Sequence, residues 1–391
     1  MRTGIAFLLL GYVLSQFYRA FLAVLTPDLA RDIGASSEQL ALASGLWFMA
    51  FATAQLPVGW ALDRFGPRFT SAIPMALCGG GGALLFALAQ GPTAIVVAMV
   101  LIGIGCAPVL VAAYFIYARE FPARMFGTLA GLSIGLGSLG NIAGTVPLAW
   151  AVAAFGWRGT VFGVAVLTLA VAAAIARYVQ DPEPVPHETT GGSLLDLLKE
   201  RSLWLIAPMM LAGYAPAANI RGLWVGPMMS DVHDMDAAGI GWVSLAMGLA
   251  MVAGNFVYGP LDRLLGSRKW GVFGGNVLAF GCLLALGLWP AMGSWSVAIW
   301  LAALGFVGAS YPAVMAHGRA FFPPHMVGRG VTLLTLFAIG GTGVLQVVTG
   351  WLFAGFPGPP ATAPYSAIFL FFAILVAVAL VLYLFAEDRQ G

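Results

Sequence analysis

Apolar residues in this chain neither alternate nor fall into narrow stripes. They come in long runs, each close to or above the roughly 20 residues that cross a bilayer as a helix. The runs lie near 5–26, 39–61, 71–89, 93–118, 124–150, 157–178, 203–229, 238–261, 270–289, 294–317, 325–351 and 364–386. Polar turns separate them, and only one connection, 179–202, is long. It holds Pro182, Pro184, Pro186, Gly191 and Gly192 with seven charged residues. The pattern predicts an all-α membrane protein of twelve transmembrane helices: a six-helix bundle over 1–178, a cytoplasmic linker over 179–202 and a second six-helix bundle over 203–391.

Composition agrees. Of 391 residues, 60% are hydrophobic and 9% charged, and the mean hydropathy is +0.92. Soluble domains carry about a quarter charged residues, so a water-soluble fold is excluded. The first run is too long, and too polar in its middle, for a removable signal peptide. Cys78, Cys106 and Cys282 all sit in apolar runs, with no disulfide or metal spacing. No nucleotide-binding motif and no soluble catalytic domain is present. The expectation is therefore no enzyme, no cofactor and no nucleic-acid partner.

Basic residues orient the helices. With the N-terminus inside, Arg2, Arg64, Arg68, Arg119, Arg124, Arg177, Arg263, Arg268, Lys269, Arg319 and Arg329 are cytoplasmic, and Arg31 and Arg158 face outward. Asp231, Asp234 and Asp236 form an acidic outer loop after the seventh helix. Both termini are expected in the cytoplasm, and the protein in a bacterial inner membrane among its lipids.

A shift of about 200 residues superimposes the halves. Gly11-Tyr12 and Arg19 answer to Gly213-Tyr214 and Arg221. Asp63-Arg64, Gly66 and Arg68 answer to Asp262-Arg263, Gly266 and Arg268. Phe121-Pro122-x-x-Met125-x-Gly127 answers to Phe322-Pro323-x-x-Met326-x-Gly328. Parallel repeats of this kind suit two bundles that rock about a site near the membrane midplane, and one chain holding both halves is expected to work as a monomer.

Two arginines fall inside apolar helices, Arg19 in the first and Arg221 at the matching place in the seventh. A guanidinium at mid-membrane costs roughly 2.5–3.5 kcal/mol even on the lenient insertion scale. A polar cavity where both address one anion would compensate, because the planar guanidinium binds carboxylate or phosphate through two parallel hydrogen bonds. The structural alternative is a pair of helix-capping arginines. Helical spacing puts Tyr12, Ser15 and Gln16 on the face of Arg19, and Tyr214 and Trp224 on the face of Arg221. Tyr114, Tyr311 and Asn141 are further candidate contacts, and Tyr117 and Gln346 are weighed with them. Each of these is equally readable as packing or as a bond across helices. No convincing carboxylate lies at mid-depth, which disfavours exchange of a proton for a cationic drug. His317 is the candidate proton-coupling group.

The run Gly59-x-x-x-Asp63-Arg64-x-Gly66-x-Arg68 resembles the signature of the major facilitator superfamily, with Pro67 in place of one basic residue. The resemblance spans twelve helices, the central loop and an echo of the signature after the eighth helix. It implies a secondary transporter working by alternating access, a cavity lined by helices 1, 4, 7 and 10, and a gating role for Asp63, Arg64 and Arg68. By symmetry it implies the same for Asp262 and Arg263. Gly11-Tyr12, Arg19, Pro27 and Leu29 further resemble the first helix of the organophosphate and organic-anion transporting branches, where arginines of helices 1 and 7 hold the anion. Ser15-Gln16 and Arg19-Ala20-Phe21 depart from that branch, so the resemblance implies an anion without implying a sugar phosphate.

The expected function is therefore transport of a small organic carboxylate, phosphate ester or inorganic anion, with protons or a counter-anion as coupling partner, as symporter or antiporter. The alternatives are a proton-driven exporter of a drug or siderophore-like compound and, in another class, a non-transporting sensor or scaffold.

Overall fold

The computed structural model describes residues 2–182, 201–321, 330 and 333–388, without the side chains of Arg2, 123–124, 126–128, 201–202 and 259–265. Among the described residues, eleven helices are long and apolar enough to cross a membrane, and a shorter apolar helix, Leu129–Ala143, supplies a twelfth segment. They gather into two compact units, one built on the first six helices and one on the last six.

In the N-terminal unit α1 is Arg2–Ile33, α2 Ser37–Phe65, α3 Pro67–Ala87 and α4 Pro92–Glu120. α5 begins as Ala123–Ala143, breaks for one turn at Gly144 and resumes at Val146. The helical stretch Val146–Tyr178 is itself interrupted at Gly156, whose φ of 68° and ψ of 162° suit a residue without Cβ. Residues 146–155 thus complete α5, and α6 runs over 157–178, as the hydrophobic pattern predicts.

Small residues let these helices approach backbone to backbone. A Cβ on Gly140 of α5 would stand 1.9 Å from the Val13 carbonyl oxygen of α1, and one on Gly137 would stand 2.2 Å from the Tyr12 ring. α4 meets α2 at Gly103, where a Cβ would stand 2.5 Å from the Trp47 carbonyl oxygen. Pro108 splits α4 at Ala107, and Gln55 of α2 donates to the Ala107 carbonyl at 3.1 Å. A polar side chain of a neighbouring helix is thus bonded to the backbone beside the break. At one end of the unit Asp181 accepts from the Arg68 backbone N–H (2.8 Å), while Arg68 Nε donates to the Ala176 carbonyl (2.5 Å). At the other end Arg158 donates to the Ala87 and Ala89 carbonyls and stacks on Trp157.

In the C-terminal unit α7 is Leu203–His233, α8 Ala237–Leu265, α9 Arg268–Leu288, α10 Ser294–Arg319, α11 Leu333–Ala354 and α12 Ala363–Tyr383. α7 breaks at Gly213-Tyr214 and passes through a π-helical turn at Ile220–Trp224. α10 breaks just before Ser310, ahead of Pro312. The two breaks meet. Ser310 Oγ donates to the Gly213 carbonyl and accepts from Asn276 Nδ2 of α9, and the rings of Tyr214 and Tyr311 lie 5.3 Å apart. Helices broken in this way expose backbone groups only where protein covers them.

The acidic stretch after the seventh apolar run differs from expectation. Asp231 is the seventh residue of the last segment of α7, Val225–His233, and not a loop residue; it accepts a hydrogen bond from Tyr365 of α12 at 2.5 Å. Asp234 closes the helix in the left-handed conformation (φ 53°). The third repeat match, Phe322 to Gly328, lies outside the described residues.

Candidate functional site

Arg19 lies near the midpoint of α1. Its guanidinium carbon sits 4.7 Å from the centre of the Phe51 ring and 5.2 Å from that of Trp47. Those two rings are one turn apart on α2 and stacked on each other at 5.3 Å. Among the described residues no carboxylate lies within ion-pair distance of Arg19, and the buried Nε has no hydrogen-bond partner. The cation is held by ring faces, which use none of its N–H donors. Trp47 and Phe51 escape a reading centred on charged residues; an aromatic pair four apart on a neighbouring helix is the signal that would have found them.

Around Arg19 the expected neighbours divide. Gln16 Nε2 donates to Tyr12 Oη (3.1 Å), forming a polar pair one turn from the arginine. The Tyr12 ring also fills the space left by Gly137. Ser15 is fully buried. On α4, Tyr114 is half-buried with its ring 6.1 Å from Tyr117, and Tyr117 hydrogen-bonds to Ser133 of α5 at 3.0 Å. Asn141 is half-buried on α5.

Arg221 is buried, at 7% exposure, within the π-helical turn of α7. The break at Gly213-Tyr214 and the wider turn at 220–224 depart from the regular spacing by which Tyr214, Arg221 and Trp224 share one face. Tyr214 meets Tyr311 of α10. Trp224 is turned into α11, its Nε1 donating to Thr349 Oγ1 (3.0 Å) and its ring stacking on Phe353 at 5.2 Å.

His317 is fully buried at the end of α10. One ring nitrogen, Nε2, donates to the Glu387 carbonyl (2.9 Å), which can only accept. The other, Nδ1, pairs with the Tyr383 hydroxyl (2.6 Å), so both ring nitrogens are bonded. Beside it Asp388 accepts from Ser267 Oγ (2.5 Å) and the Lys269 backbone N–H (3.2 Å), capping the start of α9 as Asp181 caps the start of α3. Partial burial works against the Asp388 carboxylate, but those hydrogen bonds hold its pKa below the ordinary carboxylate value. Neither capping aspartate is evident from the sequence, because each lies more than a hundred residues from the helix it caps.

Of the expected gating residues, Asp63 is exposed at the end of α2, and Arg64 is exposed beside the rings of Trp60 and Phe65. Arg68 is tied to α6 as described. The side chains of Asp262 and Arg263 lie outside the described residues.

The family model for the major facilitator superfamily matches residues 8–220 and 217–391. The chain belongs to the major facilitator superfamily. It is a multi-pass membrane transporter with a small-molecule substrate rather than an enzyme. It is 23% identical over 90% of its length to a protein of Cupriavidus necator provisionally named the sulfoacetate transporter SauU, covering 84% of that protein. It is 22% identical over 89% of its length to one of Agrobacterium vitis provisionally named a tartrate transporter, covering 83% of it. In fold it is similar to the crystal structure of a bacterial homologue of the human lysosomal transporter Spinster, with a TM-score of 0.79 at 17% identity over 99% of this chain and 98% of the other.

Proposed function

We propose that this superfamily member carries a small organic anion across the membrane by alternating access, as anion exchange or proton symport, with Arg19 and Arg221 as the charge partners of the substrate. The observation that carries the reading is Arg19: a mid-helix guanidinium held on Phe51 and Trp47, with no carboxylate beside it among the described residues and its buried Nε unpartnered. A purely structural arginine in lipid would be expected to spend its donors on carbonyls or an acid. Arg158, part-buried at one end of its unit, spends donors in this way on the carbonyls of Ala87 and Ala89. Relatives named for sulfoacetate and tartrate, both anions, support the same class. His317 is too completely bonded to favour it as the coupling group.

The test is thermal melting of the purified protein against carboxylates, sulfonates, phosphate esters, cations and neutral compounds. A ligand at a hundred times its dissociation constant adds about 2.7 kcal/mol. Stabilisation by one anion class, abolished in Arg19→Gln and in Arg221→Gln, is the expected result. Stabilisation by cations or neutral compounds that survives both changes would overturn the reading.

A further inference from the structure

The C-terminal unit contains a polar seam that the charge-based reading leaves unused. Asn219 of α7 is fully buried. Its Nδ2 donates to the Thr342 carbonyl of α11 (3.2 Å), but its Oδ1 has no partner among the described residues. One turn further along α11, Gln346 is also fully buried, and both its Oε1 and its Nε2 lack a partner among the described residues. Thr349, three residues on, donates its hydroxyl to the Gln346 carbonyl and accepts the Trp224 indole N–H. Thr342, Gln346 and Thr349 therefore share the face of α11 that meets α7. Gln346 is bracketed by the Asn219 and Trp224 contacts, at the level of the π-helical turn that carries Arg221.

The other half shows that these amides are not demanded by the packing. A shift of 202 residues takes Arg19 to Arg221, Phe17 to Asn219, Gly140 to Thr342 and Gly144 to Gln346. In the N-terminal unit a Cβ on Gly144 would stand 3.3 Å from the Phe17 carbonyl oxygen, and one on Gly140 would stand 2.9 Å from the Phe17 nitrogen. That seam is closed by a phenylalanine and two glycines. The C-terminal seam holds two carboxamides at the same positions, with one donor group and two acceptors unmet in a low-dielectric interior. Buried polar groups are otherwise paired, and each unpaired one is a standing cost that a ligand can remove.

We propose that Gln346 and Asn219 are specificity-determining residues that read a hydroxyl group of the substrate, so that the transported anion is a hydroxycarboxylate. This rests on the anion reading above. A carboxamide pair both donates and accepts, and so does a hydroxyl, whereas a bare carboxylate or sulfonate only accepts. Arg221, two residues from Asn219 on α7, supplies the charge, and the amides supply the discrimination. An anion lacking the hydroxyl leaves the buried amides unpaired and is selected against for that reason.

The experiment is thermal-shift and equilibrium binding on the full-length protein with the four-carbon series tartrate, malate and succinate. Gln346→Met and Asn219→Leu, each close in volume to the native residue, are compared with wild type after their melting temperatures show that they fold. Wild type is expected to prefer the hydroxylated acids over succinate by roughly tenfold, one hydrogen bond's worth. Each variant is expected to lose that preference while binding succinate as before. A preference that persists in both variants, or a wild type indifferent to the hydroxyls, would overturn the inference and leave the amides as sites for internal water. Failure of all three acids to bind, while another anion class stabilises the protein through Arg19 and Arg221, would overturn this inference alone; stabilisation by no anion class at all would instead remove the anion reading on which it rests.

Discussion

The seam between α1 and α5 and the seam between α7 and α11 occupy equivalent places in the two halves, yet they are built by opposite means. The first is steric. Gly137, Gly140 and Gly144 let α5 press against Tyr12, Val13, Phe17 and Ala20, close enough that no side chain could intervene. The second is polar. Asn219 and Trp224 reach across to Thr342 and Thr349, and Gln346 lies between with its amide unsatisfied. A repeat specifies six helices twice over in pattern, but it does not require the two halves to do the same work. The glycine seam has one arrangement of closest approach. The amide seam has spare hydrogen-bonding capacity, and spare capacity next to a buried arginine is what a recognition site needs.

The comparison can be broken most decisively at Gly140. A methyl group there would meet the Val13 backbone oxygen, which cannot rotate away. Gly140→Ala is expected to lower stability by about 1–3 kcal/mol, seen as a fall in melting temperature. Thr342→Ala, its counterpart by the repeat, removes a hydroxyl bonded only within its own helix and is expected to change it far less. Equal effects would mean the two seams are not distinct.

A smaller effect is expected at Trp224. Trp224→Phe keeps an aromatic ring against Phe353 but removes the donor to Thr349. The expected loss is about 0.5–1.5 kcal/mol, one buried hydrogen bond. Leu22, the equivalent residue of the first half, carries no such bond, and Leu22→Met is expected to be near neutral in the same melting assay.

The smallest effect sharpens what the halves share. Asp181 and Asp388 each cap the third helix of their unit, and Asp388→Asn is expected to cost about 0.5–1 kcal/mol at neutral pH. The Asp388 pKa is depressed on folding. Its contribution is therefore complete above the unfolded-state value, about 3.9, and is lost as pH falls through the lower folded value. Melting curves of wild type and Asp388→Asn should converge in that acid range; a constant separation would show that the carboxylate charge is not what the cap uses.

The place of Arg19 at mid-helix was legible from the sequence, because the length of an apolar run measures depth in a bilayer. So was the start of the sixth helix at 157, just after the turn at Gly156. The aromatic platform of Trp47 and Phe51 was not legible, since nothing in α1 indicates which face of α2 it meets. Nor was the orientation of Trp224. The π-helical turn adds a residue to the helical circuit just before it, and a face computed from 3.6 residues per turn is wrong beyond that point.

By itself, then, the sequence determined twelve membrane-spanning segments, a two-fold repeat and two arginines at matched depth. Each of these follows from hydrophobic run length, internal similarity and the cost of charge in lipid, and none needs a partner helix to be known. Tertiary structure alone decided which groups surround those arginines. It set Arg19 on two rings, turned Trp224 into α11, closed His317 between Tyr383 and Glu387, and left Gln346 and Asn219 with hydrogen bonds unmade. Those outcomes depend on which helix faces meet. In a chain where nearly every helix is apolar on all sides, hydrophobicity cannot choose the faces; glycine contacts, helix breaks and buried polar groups do.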